Sequence, residues 1–243
     1  MTTQQLTPLL ETRDLNVRFG GVHATRDVNF TLAEAELRCV IGPNGAGKST
    51  FFKLLTGQVR PTSGQILFRG KDIAGMQPHE PARLGIGIKT QVPSLFNGLS
   101  VWENVWLAAR RTNTSTQSER VTREVLERVG MIAYRDALVG LLAHGQRQWV
   151  ELAVVIAADP PLILLDEPAA GMSDAEVART AELILEINRR HALVVVEHDM
   201  SFIRKIAKTV TVLHQGAVIR EGTPERIMSD PLVQQIYLGK KPH

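Results

Sequence analysis

The sequence predicts an α/β protein: a mainly parallel sheet with helices on its faces, preceded by an antiparallel β portion and interrupted by a helical insert. Three observations carry that prediction. Strand-like and helix-like segments alternate from Leu162 onward. A glycine-rich loop, Gly42 to Thr50, stands between an apolar run and a helix-compatible stretch. Asp166 and His198 follow predicted strand ends, which is where open parallel sheets bind their ligands.

Two β-rich pieces come first, Leu9 to Phe19 and Val28 to Leu32, the second with alternating apolar positions. Leu37 to Ile41 reads as a short buried strand ending in Gly42, and Ser49 to Thr56 as a helix stopped by Gly57. Gln65 to Phe68 is a strand leading into the turn Arg69-Gly70-Lys71. From Val92 the texture changes. Ser100 to Arg111 and Glu119 to Val129 have helical spacing, and the polar run Thr112 to Ser118 between them reads as an exposed loop. Residues 92–150 are therefore expected to form a helical insert within a single domain spanning 9–243. Beyond it, Leu162 to Leu165 is a strand ending at Asp166. Ser173 and Glu176 fit a capping box, and Val177, Ala181, Ile184 and Leu185 place an apolar stripe on the next helix. Leu193 to Val196 is the following strand, ending at Glu197-His198-Asp199.

Composition narrows the function. With 243 residues, 44% hydrophobic and 22% charged, the chain has the profile of an ordinary soluble globular protein. A net charge of +3 and 5% aromatic residues argue against a nucleic-acid partner, which needs a basic surface with stacking platforms. The lone Cys39 cannot form an internal disulfide and reads as a buried thiol in a reducing compartment. Met1 to Pro8 lacks a signal pattern, and the most apolar stretch, Leu152 to Leu165, is broken by Asp159, Pro160 and Pro161. Any membrane role is thus expected to come through a partner. Trp102 and Trp106, four residues apart, are expected to pack the helical insert.

The chemistry is carried by two segments. Gly42, Gly47, Lys48 and Ser49 satisfy G-x-x-x-x-G-K-[ST], in which glycines let successive backbone N–H groups curl around phosphates. Lys48 is placed to reach the β- and γ-phosphates and Ser49 to ligate Mg²⁺. The remaining residues of the loop, Pro43, Asn44, Gly45, Ala46 and Thr50, complete the cradle at the start of a helix whose dipole favours anions. In the second segment, Leu162 to Leu165 leaves Asp166 at a strand tip to hold the Mg²⁺ shell. Glu167, next along, is placed to orient or deprotonate an attacking water.

Asp166-Glu167-Pro168, the run Leu141 to Gln146, Gln91 and His198 resemble the motifs of ABC-transporter nucleotide-binding subunits, over nearly the whole chain from Leu10 to Gly239. The resemblance implies a P-loop NTPase core with an N-terminal antiparallel β subdomain and an inserted helical subdomain. It also implies ATP and Mg²⁺ as ligands, and two subunits packed head-to-tail around two nucleotides. In that arrangement Gln91 senses Mg²⁺ and the membrane subunit, His198 contacts the γ-phosphate and Phe19 stacks on adenine. Ala170 to Asp174 matches the loop that crosses the dimer interface.

The family's signature, usually Leu-Ser-Gly-Gly-Gln, here reads Leu142-Ala143-His144-Gly145-Gln146. The segment's task is to start a helix whose amides point at the partner's γ-phosphate. Replacing serine by Ala143 removes one hydrogen bond to a charged group, about 1.5–3 kcal/mol or roughly a tenfold to hundredfold loss at that site. His144 offers a substitute donor. The expected consequence is a pair of unequal composite sites in a heterodimer with a different second ATP-binding chain; a homodimer is the alternative partner arrangement.

A narrower resemblance rests on Ala143 to Trp149, Ala170 to Glu176, Val196 to Met200 and the ending Asp230 to Gly239. These look like one ATP-binding subunit of urea importers, in the branch that also serves branched-chain amino acids. Such systems add two membrane-spanning permease subunits and an extracytoplasmic binding protein. The resemblance places the chain on the cytoplasmic face of the membrane, with Val92 to Phe96 as an apolar docking surface. A soluble, non-transport ABC ATPase is the alternative, and long insertions or a second fused cassette, usual there, are missing from this chain. A chain that holds ATP without hydrolysing it is disfavoured by Glu167 and His198.

Overall fold

The computed structural model describes residues 7–90 and 94–238. In chain order come β1 (Leu10–Phe19), β2 (Val22–Leu32), β3 (Leu37–Ile41), α1 (Lys48–Leu55), β4 (Ser63–Phe68), β5 (Lys71–Asp72), α2 (His79–Leu84) and β6 (Ile86–Lys89). Helices α3 (Val101–Ala109), α4 (Ser115–Arg128) and α5 (His144–Ala157) follow, with short 3-10 turns at Ile132–Tyr134 and Val139–Leu141 between the last two. The remainder is β7 (Leu162–Asp166), α6 (Asp174–Asn188), β8 (Ala192–Val196), α7 (Met200–Ile206), β9 (Thr209–His214), β10 (Ala217–Gly222), α8 (Pro224–Ser229) and α9 (Pro231–Leu238).

One sheet is antiparallel, in the order β2-β1-β4-β5. The other runs β10-β9-β3-β8-β7-β6 and is parallel except for the β9–β10 hairpin. All five residues of β3 and of β8 are buried, as expected of strands covered on both faces. Successive side chains point to opposite faces, and the two faces feed different cores. Cys39, Ile41, Ile163, Leu165, Leu193 and Val195 pack with α3, α5, α6 and α7. Val40, Leu162, Leu164, Val194 and Val196 pack with α1 and the antiparallel sheet. The Phe30 and Phe51 rings meet edge to face at 5.3 Å and tie that sheet to α1. Each such fully buried large side chain contributes about 1.5–3 kcal/mol.

Several expectations are corrected. The run Thr112 to Ser118 is a loop only at its start: Thr114 caps α4, with Gln117 reaching back to its N–H at 3.1 Å. Ser118 is buried in the first turn, donating to the Thr114 carbonyl at 2.8 Å. On α6 the buried stripe runs through Ala181, Leu183, Ile184 and Ile187, whereas Leu185 is 43% exposed. A residue next to Ile184 is turned by about 100° from it, and Leu185 turns outward. Strand β2 begins at Val22 because its polar first half pairs with β1. Trp102 packs against the core as expected, with the Arg135 guanidinium 4.7 Å over its ring.

Candidate nucleotide site

Strand β3 delivers Gly42 to the carboxyl edge of the sheet, and α1 begins six residues later. Between them Gly47 has φ +102°, and a side chain there would meet the Ala24 carbonyl at 2.5 Å, so the β2 backbone and the loop leave room only for glycine. Helix α1 has no side-chain cap and no acidic residue in its first turn. Its leading N–H groups have no partner within the helix and lie open to an anion. Lys48 lies back on the loop, its Nζ donating to the carbonyls of Gly42 (2.6 Å) and Pro43 (3.1 Å). Burial pushes its pKa down, and the nearby Glu167 and Asp166 pull it back up. Ser49 and Thr50 sit in the same first turn.

Asp166 pairs with Val196 across β7 and β8, and Val196 pairs with Val40 across β8 and β3, so the three strand ends stand side by side. Burial, then the neighbouring Glu167 charge, raises the Asp166 pKa, with Lys89, Lys48 and Lys53 opposing. Glu167 adopts φ +47°, and its N–H donates to the Val196 carbonyl at 2.9 Å. His198, exposed, brings Nδ1 to 3.5 Å from the Glu167 carboxylate. Phe19 ends β1 and is 51% exposed. Gln91 lies outside the described residues, as do Val92 and Pro93. Among the described residues, no group of three or more His, Cys, Asp or Glu side chains is placed to hold a metal. A hydroxyl and one or two carboxylates fit an Mg²⁺ that arrives on phosphates rather than a resident ion.

The altered signature begins α5. Ala143 is its N-cap, with Gln146 Oε1 accepting from the Ala143 N–H at 3.1 Å, and Leu142 precedes it. Gly145 is buried in the first turn. The His144 ring contacts the Ala170 carbonyl of its own chain at 3.0 Å.

Sequence reasoning missed three groups near the site. Glu197 is 2% exposed and accepts from the N–H of His198 (3.0 Å) and of Ala169 (3.3 Å), bracing both strand-end loops. Burial raises its pKa against those hydrogen bonds. Lys89, at the end of β6, faces Glu151 of α5 at 3.5 Å with both side chains buried. The Glu151 carboxylate also accepts from the Ser94 N–H at 3.2 Å. A charged residue at a strand end was the available signal for Lys89 and Glu197; for Glu151, in mid-helix, none existed.

The ABC transporter family model matches residues 25–170. The branched-chain amino acid transport ATP-binding protein LivG of Escherichia coli K12 is 36% identical over 252 aligned positions, covering 96% of this chain and 98% of the relative. BraF of Pseudomonas aeruginosa, named for the same transport, is likewise 36% identical with the same coverage. The lipopolysaccharide export ATP-binding protein LptB of Acidithiobacillus ferridurans is 35% identical, again over 96% of this chain and 98% of the relative. Among solved structures, the ADP form of the ATP-binding cassette MJ1267 superposes with a TM-score of 0.86 at 26% identity, covering 97% of this chain and 100% of that one.

Proposed function

This chain belongs to the ABC transporter family as an ATP-binding, ATP-hydrolysing subunit, and from that premise we propose that it drives a solute importer of the amino acid and urea branch. The ATPase half of this reading rests on the convergence of the uncapped α1 N-terminus, Lys48, Asp166, Glu167 and His198 on one edge of the parallel sheet; the importer half rests on the relatives named for branched-chain amino acid transport. In the proposed cycle Lys48 exchanges its two loop carbonyls for the β- and γ-phosphates, which accept from the amides of Gly45 to Thr50. Phe19 covers the adenine. Ser49, Asp166 and Gln91 would hold Mg²⁺, which supplies charge neutralisation on the phosphates. Glu167 takes a proton from the attacking water or orients it, and His198 contacts the γ-phosphate. Leu142 to Gln146 closes the facing site of a second cassette.

Two relatives named for branched-chain amino acid transport support an amino acid as the transported solute. Urea is the second reading, favoured by the run Ala143 to Trp149 and by Ala170 to Glu176; none of the relatives quoted is named for it. The described residues include no helix long and apolar enough to cross a membrane, so the proposed seat is peripheral, on the cytoplasmic side of two permease subunits. Phe96, 61% exposed, and Leu107, 42% exposed, line a groove with Leu95 that offers those subunits an apolar surface. We read residues 92–150 as the helical subdomain of a single domain over 9–243.

Co-purification with candidate permease subunits, followed by ATPase assay with binding protein and solute, tests the reading. Stimulation of turnover by a branched-chain amino acid or by urea is expected. Failure to associate with any permease would overturn the importer reading and leave the ATPase standing.

A further inference from the structure

The His144 ring stands at the first position of α5 and meets a segment of its own chain. Its Nε2 lies 3.0 Å from the Ala170 carbonyl and 3.3 Å from Nε2 of Gln148, one turn on. A carbonyl only accepts, so Nε2 carries the proton. It then cannot accept from the Gln148 amide as well. Exchanging the two ends of that amide removes the conflict and places Oε1, otherwise buried without a partner, on the same N–H. With Nε2–H committed to Ala170, that nitrogen is not free to donate to a nucleotide. The ring therefore suits a carbonyl of its own chain better than a nucleotide across an interface.

Two further ties join the same elements. Gly171 turns with φ +72°, and a side chain there would come within 3.1 Å of His144 Nε2, so the ring packs directly on that turn. Trp149 Nε1 donates to Thr180 Oγ1 at 3.0 Å, and that hydroxyl lies 3.2 Å from Met172 Sδ. On the other side of the turn, Glu176 packs against Gly145 and accepts from the Ser173 N–H (2.9 Å) and Oγ (2.7 Å).

We propose that His144 is a positioning residue that latches the Ala170–Ser173 loop to the first turn of α5, so that these two segments present to a partner cassette as one unit. The proposal rests on the reading that both face such a partner. It assigns the histidine a role within its own chain in place of that of substitute phosphate donor.

Amide hydrogen exchange on the full chain without nucleotide reads the latch directly. His144→Ala is expected to speed exchange at Gly171 to Ser173 about tenfold, the worth of one such hydrogen bond, and His144→Gln, which keeps an N–H donor, to return most of the protection. ATP turnover should fall about tenfold in His144→Ala with KM unchanged and recover in His144→Gln. Thermal unfolding of both variants, expected within a few degrees of wild type, serves as the control for folding. Unchanged exchange in His144→Ala would overturn the proposal, as would faster exchange with full turnover. Lost turnover without faster exchange would also overturn it and assign the ring to the facing nucleotide. A wild-type chain that bound no ATP would contradict the reading of the phosphate loop, and the exchange comparison would still decide the latch.

Discussion

Glu167 holds a left-handed backbone conformation, φ +47°, which costs a non-glycine residue on the order of 1–3 kcal/mol. Its N–H bond to Val196 and its place between Asp166 and Pro168 over-determine the turn. Strain of this kind persists where it aims a side chain. We expect Glu167→Gly to relieve it, leaving the protein equal to or more stable than wild type by up to about 1 kcal/mol while abolishing turnover. Denaturant unfolding and ATPase assay on one preparation check both halves. Glu197 gives a pH test. Its folded-state pKa is raised by burial, so its contribution to stability is complete below the ordinary glutamate range and is lost as the pH rises through the raised value. The stability of wild type relative to Glu197→Gln should therefore decline from pH 4 toward neutrality; thermal unfolding across that range that showed a constant or growing difference would contradict the burial argument.

Strand β6 and helix α5 are joined by the buried pair Lys89 and Glu151. Burial lowers the pKa of the lysine and raises that of the glutamate, each opposed by the other's charge. Removing one partner strands a buried charge. Lys89→Met is expected to cost about 3–5 kcal/mol, and the double change Lys89→Met with Glu151→Leu to recover most of it. Urea unfolding of the three proteins measures this. The same pair shows what the sequence could and could not convey. The strands β3, β7 and β8 were legible as unbroken apolar runs, and the phosphate loop and Asp166-Glu167 were legible from residue type and from their place at strand ends. By sequence Thr114 reads as loop, because its Ser, Thr and Asn neighbours mask a capping pair with Gln117 that only the helix reveals. Helix α2 is hidden by Pro78 at its N-cap and Pro81 within it, and strand β6 by Gly87 in the middle of its four residues. Pairings such as Lys89 with Glu151, or His144 with Ala170, join residues far apart in sequence, and no local pattern marks them.

For the molecule as a whole, the sheet order places the ends of β3, β8 and β7 together, so the phosphate cradle and the carboxylates meet although more than a hundred residues separate them. The signature segment at the start of α5 belongs to the proposed second, composite site. Ala143→Ser is expected to raise turnover roughly tenfold or more in the complex with a partner cassette, by restoring one hydrogen bond to a charged group. An unchanged rate in the intact complex would show that the missing hydroxyl costs nothing. Whether this one sheet edge binds and cleaves ATP is decided by parallel measurement of nucleotide affinity and Mg²⁺-dependent turnover in wild type, Lys48→Ala and Glu167→Gln. Lys48→Ala is expected to lose ATP binding. Glu167→Gln is expected to keep binding with turnover lowered at least about a hundredfold; wild-type turnover in Glu167→Gln would show that cleavage does not depend on this carboxylate.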